Sequence, residues 1–359
     1  MGFLFLFFLI IIAGHTYVFW HIWCILPLSY LWKTIIISLC SISFLSLFLY
    51  LSPVMDKINM VIARIIYEIS TSWLIILLYL IIIFLLLDIG HICHLIPKRL
   101  LHSSIPGSLA VFFLIAGLLF IGNVRYNHKQ RREISIKTKK FEDSKKIVFV
   151  SDLHIGFHTP RSELHRWLEI LKEEKPDMIL MAGDIIDGNI RPLEEEQTWE
   201  EFLHFPVPIY ACLGNHEYLA GKTRSIDFYN KSDIKLLVDT ICLTDDICII
   251  GRDDRTNPKR KSLKDIVKEP KSSKFTILLD HQPFNLEEAS FQKVDLQLSG
   301  HTHHGQVWPL NWITDAVYEC SYGYYKKDDT VYYVSSGLGI WGGKFRIGTS
   351  SEYVVIQIN

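Results

Sequence analysis

The chain has 359 residues, with 37 Lys and Arg against 38 Asp and Glu and a formal charge of −1. That charge is unevenly divided, because the first third is poor in charged residues and the rest is rich in them, so it argues for no partner and no nucleic acid is expected. Seven cysteines, an odd number with no C-x-x-C pair, exclude a disulfide framework or a cysteine metal knuckle and favour a reducing compartment.

Four apolar stretches precede residue 125: Phe3 to Leu26, Thr34 to Leu51, Trp73 to Leu87 with its flanks, and Ile105 to Val124. Each reaches or approaches the roughly 20 residues that cross a hydrocarbon core of about 30 Å as a helix. Met1 and Gly2 provide no positive n-region, so the first stretch reads as a retained helix, not a cleaved signal. Residues 1–124 are therefore expected to form a four-helix transmembrane module. His15, His21, Cys40 and Ser41 are its notable polar groups, with Asp88, His91 and His94 near an end. No acidic residue lies inside the apolar runs, so these groups read as packing or interfacial.

Residues 125–145 are strongly basic, with Arg125, Lys129, Arg131, Arg132, Lys137, Lys139, Lys140 and Lys145 against Glu133, Glu142 and Asp143. They read as a linker that places the following domain on the cytoplasmic face. Contact with anionic lipid headgroups is a second reading, and a solvated, snorkelling segment is the bland one.

From residue 146 short β-rich runs alternate with helix-like segments. Strands are expected at Ile147 to Val150, Met178 to Met181, Ile209 to Leu213, Ile247 to Gly251, Phe275 to Leu279, Leu296 to Leu298 and Val331 to Val334, with a β-like end at Glu352 to Ile358. Arg161 to Lys175 carries Leu164, Trp167, Leu168 and Leu171 at helical spacing. The rhythm predicts an α/β sandwich over residues 146–359 with helices outside.

Metal-type side chains fall at the strand ends: Asp152 and His154, Asp184 with Asp187, Asn215 with His216, His281, then His301 and His303. Ligands bind at the carboxyl ends of strands in open α/β sheets, so these tips should meet in one cleft. Carboxylate, amide and imidazole together exceed what one tetrahedral zinc takes and suit two divalent ions, Mn, Fe or Zn. Asp152 and His154 would alternate along an extended backbone and point to one side, and so would His301 and His303.

The ordered set D-x-H, G-D, G-N-H-E, lone His and G-H-T-H resembles the calcineurin-like metallophosphoesterase superfamily over residues 146 to 359. Ser335 to Gly342, Arg346 to Gly348, and Tyr218 further resemble its bacterial membrane-associated phosphodiesterase branch. The resemblance implies two mixed β-sheets flanked by helices. It implies one metal on Asp152, His154 and His303, a second on Asn215, His281 and His301, Asp184 as the bridge, and His216 as the acid for the leaving oxygen. His304 replaces a usual glycine and either touches substrate phosphate or points to solvent. Asp280 also departs from the usual pattern before the lone His. Asp187 is a supporting or a turn residue, and Arg346 a phosphate contact or a structural ion-pair member. Gly337, Gly339 and Gly342 satisfy a dinucleotide fingerprint, but no helix follows and a tight turn beside the site is expected.

The expected function is a membrane-anchored phosphodiesterase or pyrophosphohydrolase that uses a metal-activated hydroxide on a lipid or lipid-linked phosphoester. Membrane lipids are then its other partner. The alternative is a membrane scaffold or sensor with a non-catalytic domain.

Overall fold

A computed structural model describes residues 2–267 and 274–359, with backbone alone for residues 2–8. The chain divides into two units, Met1–Gly122 and Asn123–Asn359.

The first unit holds α1 (Gly2–Ile25), α2 (Tyr30–Tyr50), α3 (Met60–Ile92) and most of α4 (Ile105–Asn127). Three of these, α2, α3 and α4, are long and apolar enough to cross a membrane. The expected fourth crossing is not reached by the described part of α1, because its apolar segment Leu9–Ile25 falls short of the roughly 20 residues a span needs. Leu39, Ile42 and Leu45 on α2 and Phe112 and Phe113 on α4 are exposed, and helices apolar on every side suit a hydrocarbon surround.

Inside this unit His15 and His21 are occupied by polar partners. Trp73 Nε1 donates to His15 Nε2 at 3.0 Å, and His15 Nδ1 lies 2.8 Å from the Ile11 carbonyl. Asp88, one residue beyond the apolar run, supplies an acidic partner the sequence reading lacked. It lies 3.0 Å from His21 Nε2 and accepts from Tyr17 at 2.6 Å.

The second unit alternates apolar side chains with a period of two, and that alternation sorts them into layers. Ile147 and Phe149 belong to one core and Val148 and Val150 to another, all fully buried. The strands are β1 (Gln130–Ile136), β2 (Lys145–Val150), β3 (Met178–Ala182), β4 (Ile209–Cys212), β5 (Ile234–Leu236), β6 (Thr240–Leu243), β7 (Ile247–Gly251), β8 (Phe275–Leu279), β9 (Leu296–Ser299), β10 (Gly323–Lys327), β11 (Thr330–Val334) and β12 (Glu352–Ile358). They form two six-stranded sheets, ordered β1-β12-β2-β3-β4-β5 and β10-β11-β9-β8-β7-β6. Both are mixed. The pairs β2–β3, β3–β4, β4–β5, β7–β8, β8–β9 and β9–β11 are parallel, whereas β12–β2, β6–β7 and β10–β11 are antiparallel.

Phe149, Leu180, Ile249, Ile277, Leu298 and Ile356 fill the space between the sheets. The outer face of the first sheet packs on α5 (Arg161–Glu173) through Leu164, Trp167, Leu168 and Leu171, as the helical spacing predicts. The described helices that follow are α6 (Arg191–Glu195), α7 (Asn215–Leu219), α8 (Lys222–Lys231), α9 (Leu263–Ile266), α10 (Glu287–Phe291) and α11 (Leu310–Val317).

The segment expected as a basic linker is instead largely built into the fold. Residues 130–136 form β1, which pairs parallel to β12. Its charges find partners in the same unit: Arg131 with Glu174, Arg132 with Glu352, Lys140 with Asp295 and Lys145 with Asp246. Half-exposed β5, β6 and β10, three to five residues long, were not among the strands expected from the sequence.

Tyr126, the last aromatic of α4, is fully buried and donates to Glu163 at 2.8 Å, and Lys344 pairs with the same carboxylate at 2.8 Å. Burial would raise the Glu163 pKa, but Lys344 and Tyr126 outweigh it and hold it below its ordinary value. A depressed folded pKa contributes stability above the unfolded value of about 4.3, and that stability is lost as pH falls through the folded value. Lys344→Met should therefore cost about 1.5–3 kcal/mol near neutrality, with the deficit shrinking below about pH 4. Melting curves from pH 3 to 7 check this, and a deficit independent of pH would contradict it.

Candidate metal centre

All the expected ligand residues lie at carboxyl ends of strands. Asp152 and His154 follow β2, Asp184 follows β3, and Asn215 opens α7 after β4, so the first sheet supplies four. His281 follows β8, and His301 and His303 follow β9, so the second sheet supplies three. The two groups meet across the sandwich. His154 Nε2 stands 3.1 Å from His303 Nε2, and His303 Nε2 stands 3.5 Å from Asp152 Oδ1. Asp184 Oδ2 is 3.1 Å from His281 Nε2 and 3.8 Å from His154 Nε2, while Asn215 Oδ1 is 3.2 Å from His281 Nε2.

Three groups have ligand atoms within 4.8 Å of one another and can each hold an ion: Asp152, His154 and His303; His154, Asp184 and His216; and Asp184, His281 and His301. Asp184 belongs to two of them, which suits a shared carboxylate. The donors fit a divalent ion by their chemistry as well, since hard carboxylate oxygen is mixed with imidazole. Two imidazole nitrogens and a carboxylate oxygen crowd together at Asp152, His154 and His303, where a cation would satisfy all three.

The backbone reaches this arrangement differently from the extended alternation expected. Asp152, His154, Asp184, His301 and His303 have φ of 53°, 46°, 51°, 72° and 48°, in the left-handed region. Non-glycine residues are uncommon there, and such strain persists where the surroundings over-determine it. Glycines make the close approaches. A Cβ on Gly214 would stand 2.2 Å from Asp184 Oδ1. Gly337, at φ 91°, would place a Cβ 2.9 Å from that of Asp152. The Gly337–Gly342 run is thus the tight turn expected: Leu338 and Gly339 donate backbone N–H groups to the Ser151 and Asp152 carbonyls at 3.0 and 2.9 Å.

Electrostatics divide the groups. For Asp184, burial would raise the pKa, but His281 and His216 hold it well below the carboxylate range. Asp152 is raised, chiefly by burial. Burial lowers His301 to about 4, with His281 adding to the effect, and burial with His154 and Arg346 keeps His303 well below its ordinary value. His281 is the exception among the ligands. Burial opposes its charge, but Asp184 raises it, and its Nδ1 lies 2.7 Å from the Ala182 carbonyl, leaving Nε2 toward the cleft. His216 behaves likewise: burial lowers it, yet Asp184 and Asp187 carry it to about 9.

Asp187 is more than a turn residue. It is buried, with Oδ1 3.3 Å from His154 Nδ1 and 3.0 Å from His216 Nδ1, and so orients both rings. Two expectations are corrected. Arg346 is fully buried and donates to the carbonyls of His303, Ser336 and Gly339 at 2.9, 2.5 and 2.9 Å, which ties the His303 loop to the glycine turn and leaves no fork for phosphate. His304 neither enters the cleft nor points freely to solvent. Its ring stacks on Tyr322 at 4.6 Å and its Nε2 lies 3.6 Å from Asp315. Asp280 binds Arg252 and Arg260, both at 3.1 Å, and takes no part in the Asp184, His281 and His301 group.

Glu217 was passed over in the sequence. It has no exposed surface and accepts from the backbone N–H groups of Asp184, Ile185, Ile186 and Gly214 at 3.1, 2.8, 3.1 and 2.7 Å, and from Tyr229 at 3.0 Å. One carboxylate therefore fastens the G-D turn to the G-N-H turn. The only signal in the sequence was its place in G-N-H-E. Glu217→Ala strands several buried amides at about 1–3 kcal/mol each. The expected result is loss of folded protein or a large fall in melting temperature, and a melting temperature near that of the parent would refute this role.

The calcineurin-like phosphoesterase family model matches residues 145–305. An uncharacterized metallophosphoesterase of Helicobacter pylori is 30% identical over 73% of this chain and 73% of its own length. One of Campylobacter jejuni is 29% identical over 70% of this chain and 67% of its own. A zebrafish (Danio rerio) transmembrane protein with metallophosphoesterase domain is 27% identical over 63% of this chain and 56% of its own length. With this ligand arrangement and these likenesses, the chain belongs to the calcineurin-like phosphoesterase family.

Proposed function

We propose that the protein is a membrane-anchored phosphoesterase that holds two divalent ions and hydrolyses a phosphodiester or pyrophosphate bond in a lipid or lipid-linked substrate, with its catalytic domain on the cytoplasmic face. The observation that carries the hydrolase reading is Asp184, placed within reach of the histidines of both expected sets. Asp152, His154 and His303 would hold one ion, Asn215, His281 and His301 the other, and Asp184 both. Divalent ions there would supply Lewis acidity toward phosphoryl oxygens and water.

The residues of the chain account for the rest. Asp187 accepts from His216 Nδ1, and Asp184 and Asp187 together keep that ring charged near neutrality, so Nε2 is the atom from which a proton can pass to the leaving oxygen. The His216 backbone N–H donates to Asp184 Oδ1 at 2.8 Å, which ties the acid to the bridging carboxylate. The lipid part of the reading rests on the apolar helices and on relatives with membrane segments. The cytoplasmic assignment rests on the basic residues after the last apolar run, and protease accessibility on intact cells tests it.

Turnover of bis-p-nitrophenyl phosphate that depends on added Mn²⁺ is expected, and no turnover of diester or monoester with any divalent ion would favour the scaffold reading. His216→Ala should cut kcat by roughly 100- to 10,000-fold while leaving the metal content intact. Because His216 must be protonated, activity should fall as pH rises toward its pKa of about 9, or somewhat lower where bound cations offset the Asp184 charge. Asp187→Asn removes a counter-charge and should move this alkaline limb to lower pH. A limb that stays put in Asp187→Asn would remove Asp187 from the mechanism.

A further inference from the structure

Helix α11 is inverted for a soluble protein. An ordinary surface helix turns its apolar stripe inward. Here no residue is buried: the polar Asn311 and Thr314 are half-buried, whereas Trp312, Ile313 and Val317 are 62%, 60% and 56% exposed. Trp308, its ring centroid 5.4 Å from that of Trp312, extends the patch at 39% exposure, and Trp341, whose carbonyl accepts from Gln306, is 37% exposed. Such a patch on a folded domain marks a surface that something covers.

Two observations identify the cover. Within the unit Asn123–Asn359, the patch adjoins the end of an apolar helix long enough to cross a membrane. Asn123 of α4 donates to the Lys344 carbonyl at 3.1 Å, Gln306 donates to the Trp341 carbonyl at 2.8 Å, and Trp308 donates its backbone N–H to Ile347 at 2.7 Å. The residues from 341 to 347 thus run between the end of α4 and the base of α11. The composition is also interfacial, since three exposed tryptophans beside aliphatic side chains suit the headgroup boundary of a bilayer.

We propose that α11, with Trp308 and Trp341, lies in the interface of the lipid bilayer. The same helix is pinned to the metal centre. Its start packs against Gly305, where a Cβ would stand 2.2 Å from the Asn311 nitrogen, and Asp315 faces His304. Docking therefore brings the His301–His303 loop to headgroup depth. The proposal concerns the surface alone and does not depend on the hydrolytic reading.

The test uses the full chain in nanodiscs of phosphatidylcholine and phosphatidylglycerol, with a benzophenone amino acid at Ile313. Phe112 on α4 serves as the positive control and Lys175, before the amino end of β3, as the negative one. Lipid adducts by mass spectrometry are expected at positions 313 and 112 and not at 175. Adding Trp312→Gln and Val317→Gln should lower the adduct at 313 at least fivefold and leave that at 112 unchanged. An adduct at 112 without one at 313 would overturn the proposal. So would crosslinking of position 313 to a second copy of the chain, or an adduct insensitive to the two substitutions.

Discussion

Desolvated carboxylate in one small volume is the constraint on which the rest of this structure depends. Asp152, Asp184, Asp187 and Glu217 are all buried within a few residues of one another in space. An isolated carboxylate in such a place would be far too costly and would take up a proton instead. Each is therefore answered by something specific. Asp187 has two imidazoles, Glu217 a ring of backbone amides and a tyrosine, and Asp152 the Ser151 hydroxyl and the His301 N–H. Asp184 is left facing His154, His281 and His216, the position with the most to gain from divalent cations.

That constraint explains local oddities that are hard to understand one at a time. Ligand residues in left-handed backbone conformation bring side chains from adjacent strand ends to a common point that extended backbone would miss. Gly214 stands where any side chain would displace the Asp184 carboxylate, and Gly337 where one would press on the Asp152 Cβ. Arg346 directs its two terminal guanidinium nitrogens at backbone carbonyls, and burial pushes its pKa down to about 10. Its work is to hold the loop that carries His303, and one of its nitrogens lies 3.5 Å from that ring.

The sandwich makes this possible because parallel strands in both sheets end at the same edge. The centre is a seam between sheets, with candidate ligands from β2, β3 and β4 on one side and from β8 and β9 on the other. The inter-sheet core of Phe149, Leu180, Ile277 and Leu298 sets that separation, so packing far from the chemistry controls ligand distances. The loop that carries His303 leads directly into α11, whose apolar residues Trp312, Ile313 and Val317 face outward.

The candidate ligands could be placed at strand ends because each follows its strand by two to four residues, and strand ends follow from short apolar runs. Asp152, His154, Asp184, Asn215, His281, His301 and His303 could be named in order as candidates for that reason. What the sequence could not contain is long-range pairing. Nothing in Glu352 to Ile358 says that the last strand slides between β1 and β2 and turns a supposed basic linker into an edge strand. Nor does Arg346 or His304 reveal its partners, since carbonyls from Ser336 to Gly339 and the ring of Tyr322 become neighbours only after folding. Local propensity and periodicity act within a few residues, whereas the roles of Arg346, Glu217 and Asp187 arise from contacts that only chain closure creates.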